Sequence, residues 1–222
     1  MKSLLKGLSI FAIALVLCNW GSASGGIGLN EVPSIGRWYL QQAKTEKFRF
    51  YIKVEGDGEN GYAIHSIRIV DRKNKEIMQV IRDIDAMKTQ RNPSDLVTAV
   101  DANFDGLPDF LIPFSDGGVG PNSSNNYYIF NPKNNQFEIN QQLSELPQSA
   151  VNANGTISSS YRDGCCHHHS ETYRFLGGKL ILVSDWDEAY TADGWIETTV
   201  RELVGGKWRS KTTRTKRKDE VN

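Results

Sequence analysis

Residues 101–109 read DANFDGLPD and stand between two short apolar runs, LVTAV (residues 96–100) and FLIPF (residues 110–114). Both runs are rich in β-branched or aromatic side chains, and Pro113 is hostile to a helix, so the segment is expected to run strand, tight polar loop, strand. The loop offers carboxylates at Asp101, Asp105 and Asp109 and an amide oxygen at Asn103, with Gly106 where a tightly wrapped chain needs freedom in φ. Three acids this close repel one another unless a cation lies among them. Such a shell of hard oxygens suits Ca²⁺, which takes about six to eight ligands, so the carbonyl of Leu107 and water would complete the set. The helix-flanked calcium loop ends in a bidentate Glu at its twelfth position, where this chain has Ile112, so an EF-hand is not expected. The alternative is an ion-free Asp/Asn/Gly turn.

The rest of the chain reads as strands. FRFYIKVE (residues 48–55) alternates at Phe48, Phe50, Ile52 and Val54, and residues 63–70 alternate with an inward face that the sequence leaves open. Further short strands are expected at residues 76–81, 127–130, 136–139, 156–161, 172–176, 179–183, 195–204 and 207–215. Glycine pairs at 177–178 and 205–206 supply two-residue turns. A helical turn is expected only within residues 38–43, and SDWDEAY (residues 184–190) reads as a solvated turn or an acidic recognition loop. The fold class is therefore all-β, an antiparallel meander of hairpins forming a small propeller-like or sandwich domain over residues 47–215. Residues 25–46 form a leader and residues 216–222 a basic tail.

Residues 1–24 look like an export signal: Lys2 and Lys6, an apolar run from Leu8 to Leu17, then small residues up to Ser24. Polar Asn19 arrives too early for a stable membrane span, and cleavage places the mature chain in the periplasm or outside the cell. Without Lys2 and Lys6 the balance is 24 basic against 26 acidic residues, which does not suggest a nucleic-acid partner. The basic side chains crowd into residues 207–218, expected as a solvated edge strand and tail.

Cys165, Cys166, His167, His168 and His169 stand in a row, and loss of Cys18 with the signal leaves the pair as the only thiols of an exported chain. They can bond to each other as a vicinal disulfide, or join the imidazoles around a second metal such as zinc or copper. In an extended run, however, His167 and His169 face one way and His168 the other. The polar stretch SDGGVGPNSSNN (residues 115–126) has little to bury and is the candidate contact loop, with Asp116, Asn122, Asn125, Asn126 and the following Tyr127 as its residues. No nucleophile motif, phosphate-cradling loop or zinc-hydrolase signature is present, so a binding protein is expected rather than an enzyme.

The succession VDANFDGLPDFLI, a Gly/Asn loop, YYIFNPKNNQFE, GCCHHHSETYRF and GGKLILV, within residues 96–183, resembles exported bacterial proteins carrying a single FG-GAP-type calcium loop. Some of these are periplasmic inhibitors of lysozyme-like peptidoglycan hydrolases, acting as immunity proteins in antibacterial secretion. The resemblance implies a propeller-like fold and Asp101, Asn103, Asp105, the Leu107 carbonyl and Asp109 as calcium ligands. It also implies a cell-wall hydrolase as partner. Two other readings stay open: a calcium-dependent adhesive or carbohydrate-binding envelope module, and a metal or redox protein centred on residues 165–169.

Overall fold

Three antiparallel sheets, each a simple meander, make up the computed structural model, which describes residues 36–43, 45–56, 60–115 and 122–217. The expected export signal and most of the leader lie outside the described residues. The first sheet contains β1 (Trp38–Leu40), β2 (Phe48–Gly56), β3 (Tyr62–Asp71) and β4 (Ile77–Arg82). The second contains β5 (Thr98–Val100), β6 (Asp109–Ser115), β7 (Ser124–Asn131) and β8 (Gln136–Ile139). The third has six strands: β9 (Ala150–Asn152), β10 (Thr156–Arg162), β11 (His167–Leu176), β12 (Lys179–Tyr190), β13 (Trp195–Val204) and β14 (Lys207–Lys216). One helical turn, α1 (Gln141–Ser144), is capped by Asn140, whose side chain accepts from the Leu143 N–H. The all-β class stands, with no closed barrel. No helix among the described residues is long and apolar enough to cross a membrane.

In the first sheet, β2 buries Phe48, Phe50, Ile52 and Val54 by strict alternation. Its partner β3 changes phase, burying Tyr62 and Ile64 and then Ile67 and Ile69, because the pairing register shifts between Lys53 and Val54 and leaves His65 as an extra residue. The bulge is why both faces of this strand look plausible in the sequence.

The second sheet is covered on both sides. Phe110, Ile112, Tyr128 and Phe130 join the core made with β2 and β3, while Tyr127, Leu111 and Ile129 join a second cluster with Leu143, Leu146 and Ile157. Double-sided burial explains why FLIPF and YYIF are nearly continuous apolar runs. Phe137 of β8 sits at the centre of the first core, its ring 5.0 Å from Phe110, 5.1 Å from Phe48 and from Phe130, and 6.0 Å from Phe50. The Gln79 amide ties the first two sheets at their edges, donating to the Phe137 carbonyl (3.0 Å) and accepting the Phe137 N–H (2.8 Å).

Two expectations are corrected here. The helical turn proposed for residues 38–43 is an edge strand, Trp38–Leu40, paired with Tyr51–Lys53, so the sheet begins inside the expected leader. Tertiary contacts decide it: the Arg68 guanidinium lies 3.9 Å over the Trp38 ring, and buried Gln41 accepts the N–H groups of Leu96 (2.8 Å) and Val97 (3.2 Å). SDWDEAY is not a turn but the outer half of β12, lying between β11 and β13. Beyond the second cluster, β13, β14 and the outer ends of β11 and β12 form a wing with few buried side chains. Asp185 is its buried residue, bonded to Arg201 Nε at 2.7 Å, and every residue of β14 is exposed.

Candidate functional site

The acidic loop is built by alternating what it buries with what it presents. Ala102 is buried, Phe104 packs on the second cluster and Leu107 on the first, so the loop is pinned to both cores. The polar residues between them turn their oxygens onto the loop's own amides. Asp101 accepts the N–H groups of Asp105 (3.0 Å) and Gly106 (2.9 Å), Asn103 Oδ1 accepts that of Asp105 (3.1 Å), and Asp105 Oδ1 accepts that of Leu107 (2.8 Å). Phe104 and Gly106 take positive φ, 60° and 82°, to close the wrap.

Asp109 behaves differently. It is 0 % exposed, and its two oxygens accept the N–H of Ala102 (2.9 Å) and of Phe130 (2.8 Å), joining the loop, β6 and β7. Burial pushes its carboxyl up to about 6 against the backbone hydrogen bonds that hold it down, and the Asp105 charge adds to the upward push. The chemistry fits a calcium ion. Asp101, Asn103 and Asp105 are adjacent hard oxygens, each bonded oxygen keeps a further lone pair, and a divalent cation would relieve the repulsion between Asp105 and Asp109. The fit rests mainly on the first three residues, which are partly or fully exposed, because Asp109 is fully buried with its oxygens on Ala102 and Phe130.

A pH experiment separates the ion from the turn. A carboxyl whose folded value lies near 6 against an ordinary 3.8 contributes stability that is fully present below 3.8 and lost as pH rises to about 6. In chelator, urea unfolding should show that loss, at most about 3 kcal/mol. Saturating calcium should flatten it and Asp109→Asn should remove it. An unchanged slope in calcium would argue for the ion-free turn.

The cysteine–histidine run spans a turn and the first residues of a strand. Cys165 and Cys166 are disulfide-bonded, with Cα atoms 3.8 Å apart, in the exposed connection from β10 to β11. The Tyr190 N–H donates to the Cys166 carbonyl at 2.9 Å, fixing this turn against the end of β12. Extended β11 then separates the histidines as strand geometry requires. His167 and His169 share a face with Asp187 of β12, while His168 lies on the other face, 3.6 Å from Glu188. His169 Nδ1 is 2.7 Å from Asp187 Oδ2 and His167 Nε2 is 3.8 Å from Asp187 Oδ1. Tyr161 of β10 stacks on His169 at 4.5 Å. Burial pushes the Tyr161 phenol up, and the charges of Glu171, Asp187, Asp185 and Asp163 push it further, so this face carries negative potential. Asp187 was missed as a partner of the histidines because its strand was read as a turn. The period of two in SDWDEAY, with Asp185, Asp187 and Ala189 on one face, was the available signal.

Among its described residues, part of the candidate contact loop is buried strand rather than surface. Asp116 lies outside the described residues. Asn125, Asn126 and Tyr127 belong to β7, where Asn126 is buried and donates to the Asp85 carbonyl at 2.6 Å. Tyr127 is 0 % exposed, its hydroxyl 2.9 Å from Ser149 Oγ. Double-sided burial of the middle sheet withdraws both from any partner. Asn122 is engaged too, accepting the Arg162 N–H at 3.3 Å.

No protein-family model and no curated protein matches this sequence. A solved structure of a Type IV secretion system related protein from Xanthomonas has a similar fold. The TM-score is 0.59 at 15% identity, covering 82% of this chain and 96% of that one. The likeness is one of architecture.

Proposed function

We propose that this chain is an exported, calcium-stabilised binding protein that blocks a lysozyme-like peptidoglycan hydrolase, as an immunity protein would. The observation that carries the reading is a division of labour within the fold. The acidic loop is fastened to both cores and, through Asp109, to two strands of the middle sheet, whereas the wing of β13, β14 and the outer ends of β11 and β12 gives little to either core. Ladder hydrogen bonds hold that wing extended while Tyr190 near Glu188, Val204 near Glu202, and Trp208 on the opposite face remain exposed. A sheet kept rigid without burying its side chains offers preorganised binding surface, so little ordering entropy is lost when a partner docks.

The reading also draws on the sequence resemblance to hydrolase inhibitors, and the architectural neighbour related to a secretion system is compatible with it. A lysozyme-type enzyme works with carboxyl groups in a cleft, and a polar strand end or hairpin seated there would exclude substrate. The test is turbidimetric. Purified mature protein at equimolar ratio should slow lysis of peptidoglycan by a hydrolase encoded beside it, and chelation of calcium should weaken the effect by lowering stability. Undiminished lysis at tenfold molar excess of the protein would reject the reading.

A further inference from the structure

We infer that His167, His169 and Asp187 form a binding site for a divalent transition-metal ion, zinc by preference, on the polar face of the third sheet. Among the described residues this is the group whose three ligand atoms, drawn from His, Cys, Asp or Glu side chains, all lie within 4.8 Å of one another. The site is separate from the acidic loop and does not rest on the inhibitor reading.

Strand geometry assembles it. Two histidines at i and i+2 of β11 project from the same face, and Asp187 of β12 stands directly across from His169 in the register. Zinc held by tetrahedral bonds of about 2.0–2.1 Å sets its donors roughly 3.3 Å apart, and the 2.7 and 3.8 Å separations to Asp187 bracket that spacing. Two imidazoles and one carboxylate suit zinc or copper far better than calcium, which takes oxygen. The disulfide withholds both sulfurs, so Cys165 and Cys166 shape the turn that starts β11 without serving as ligands.

The surroundings favour a cation. Tyr161 stacks on His169 and fixes its ring, and Glu171 lies on the same face opposite Asp185. The ligand side chains are 21 to 42 % exposed, so the fourth position is open to water or to a donor from a docked protein.

Calorimetric titration of zinc chloride into the full, oxidised chain, with calcium at saturation, tests the site. One equivalent should bind. His169→Ala and Asp187→Asn should each weaken binding about tenfold or more, since even outer-shell partners of metal ligands cost that much when changed. His168→Ala, on the opposite face, should leave affinity within about twofold, and Asp105→Ala, in the acidic loop, should leave it unchanged. Absence of zinc binding would overturn the assignment. So would equal losses for His168→Ala and His169→Ala, since that pattern belongs to a loose polyhistidine chelate rather than to a built face.

Discussion

Asp109→Ala should lower the unfolding free energy by about 4 kcal/mol at pH 5 in chelator, with a fall of roughly 10 °C in melting temperature. The side chain is fully buried and satisfies two main-chain donors, Ala102 N–H on the loop and Phe130 N–H on β7. Truncation leaves both unpaired away from water, at about 1–3 kcal/mol each, and adds a small cavity. The acidic value of pH removes the complication of charge, because the carboxyl, pushed up to about 6, is then largely neutral. Asp101→Ala makes the control: its bonds are to exposed loop amides, so its loss in chelator should be well under half as large. If the two variants lost the same stability in chelator, the role given to Asp109 as the fastening between loop and sheet would be wrong.

Phe137→Ala should cost a similar amount, about 4 kcal/mol, whereas Trp208→Ala should change stability by no more than about 0.5 kcal/mol. Both are aromatics on edge strands, and they differ in what surrounds them. Phe137 is 3 % exposed and touches the rings of Phe48, Phe50, Phe110 and Phe130, so its removal opens the centre of the core between the first two sheets. Trp208 is 48 % exposed on the edge strand. Chemical denaturation of the two variants measures the contrast. A large loss from Trp208→Ala would mean that the wing is part of the cooperative core rather than a surface carried by it.

The fold was legible where a strand is half-buried and its turn is specified. FRFYIKVE, the hairpin around NPKNN and the strands flanking the glycine pairs at 177–178 and 205–206 fall where alternation and turn chemistry place them. The wing was not legible in full. The outer halves of β11 and β12 carry mostly polar side chains on both faces, so no apolar period marks them, and His167–Leu176 and Lys179–Tyr190 extend well beyond the segments the pattern picks out. Trp38–Leu40 was lost for another reason, since three residues carry no period and their placement depends on Arg68 and on Gln41 contacts more than fifty residues away.

The same division holds for the sites. That residues 101–109 would wrap tightly followed from their composition. That Asp109 would point into the sheet did not, because one of its partners, Phe130, lies 21 residues on. The separation of His168 from His167 and His169 followed from strand geometry alone. The carboxylate that completes the group could not be named while the two strands were expected to stop at residues 172 and 183.

The outermost strand, Lys207–Lys216, carries a row of main-chain donors and acceptors with no further strand beside it among the described residues. Such an open ladder invites a second molecule to add on and a third after it, the first steps towards a fibre. Along this one, Lys207, Arg209 and Lys211 lie on one face and Arg214 and Lys216 on the other, so an approaching identical strand meets like charge on both sides. The arrangement discourages self-stacking while leaving the ladder open to an oppositely charged strand.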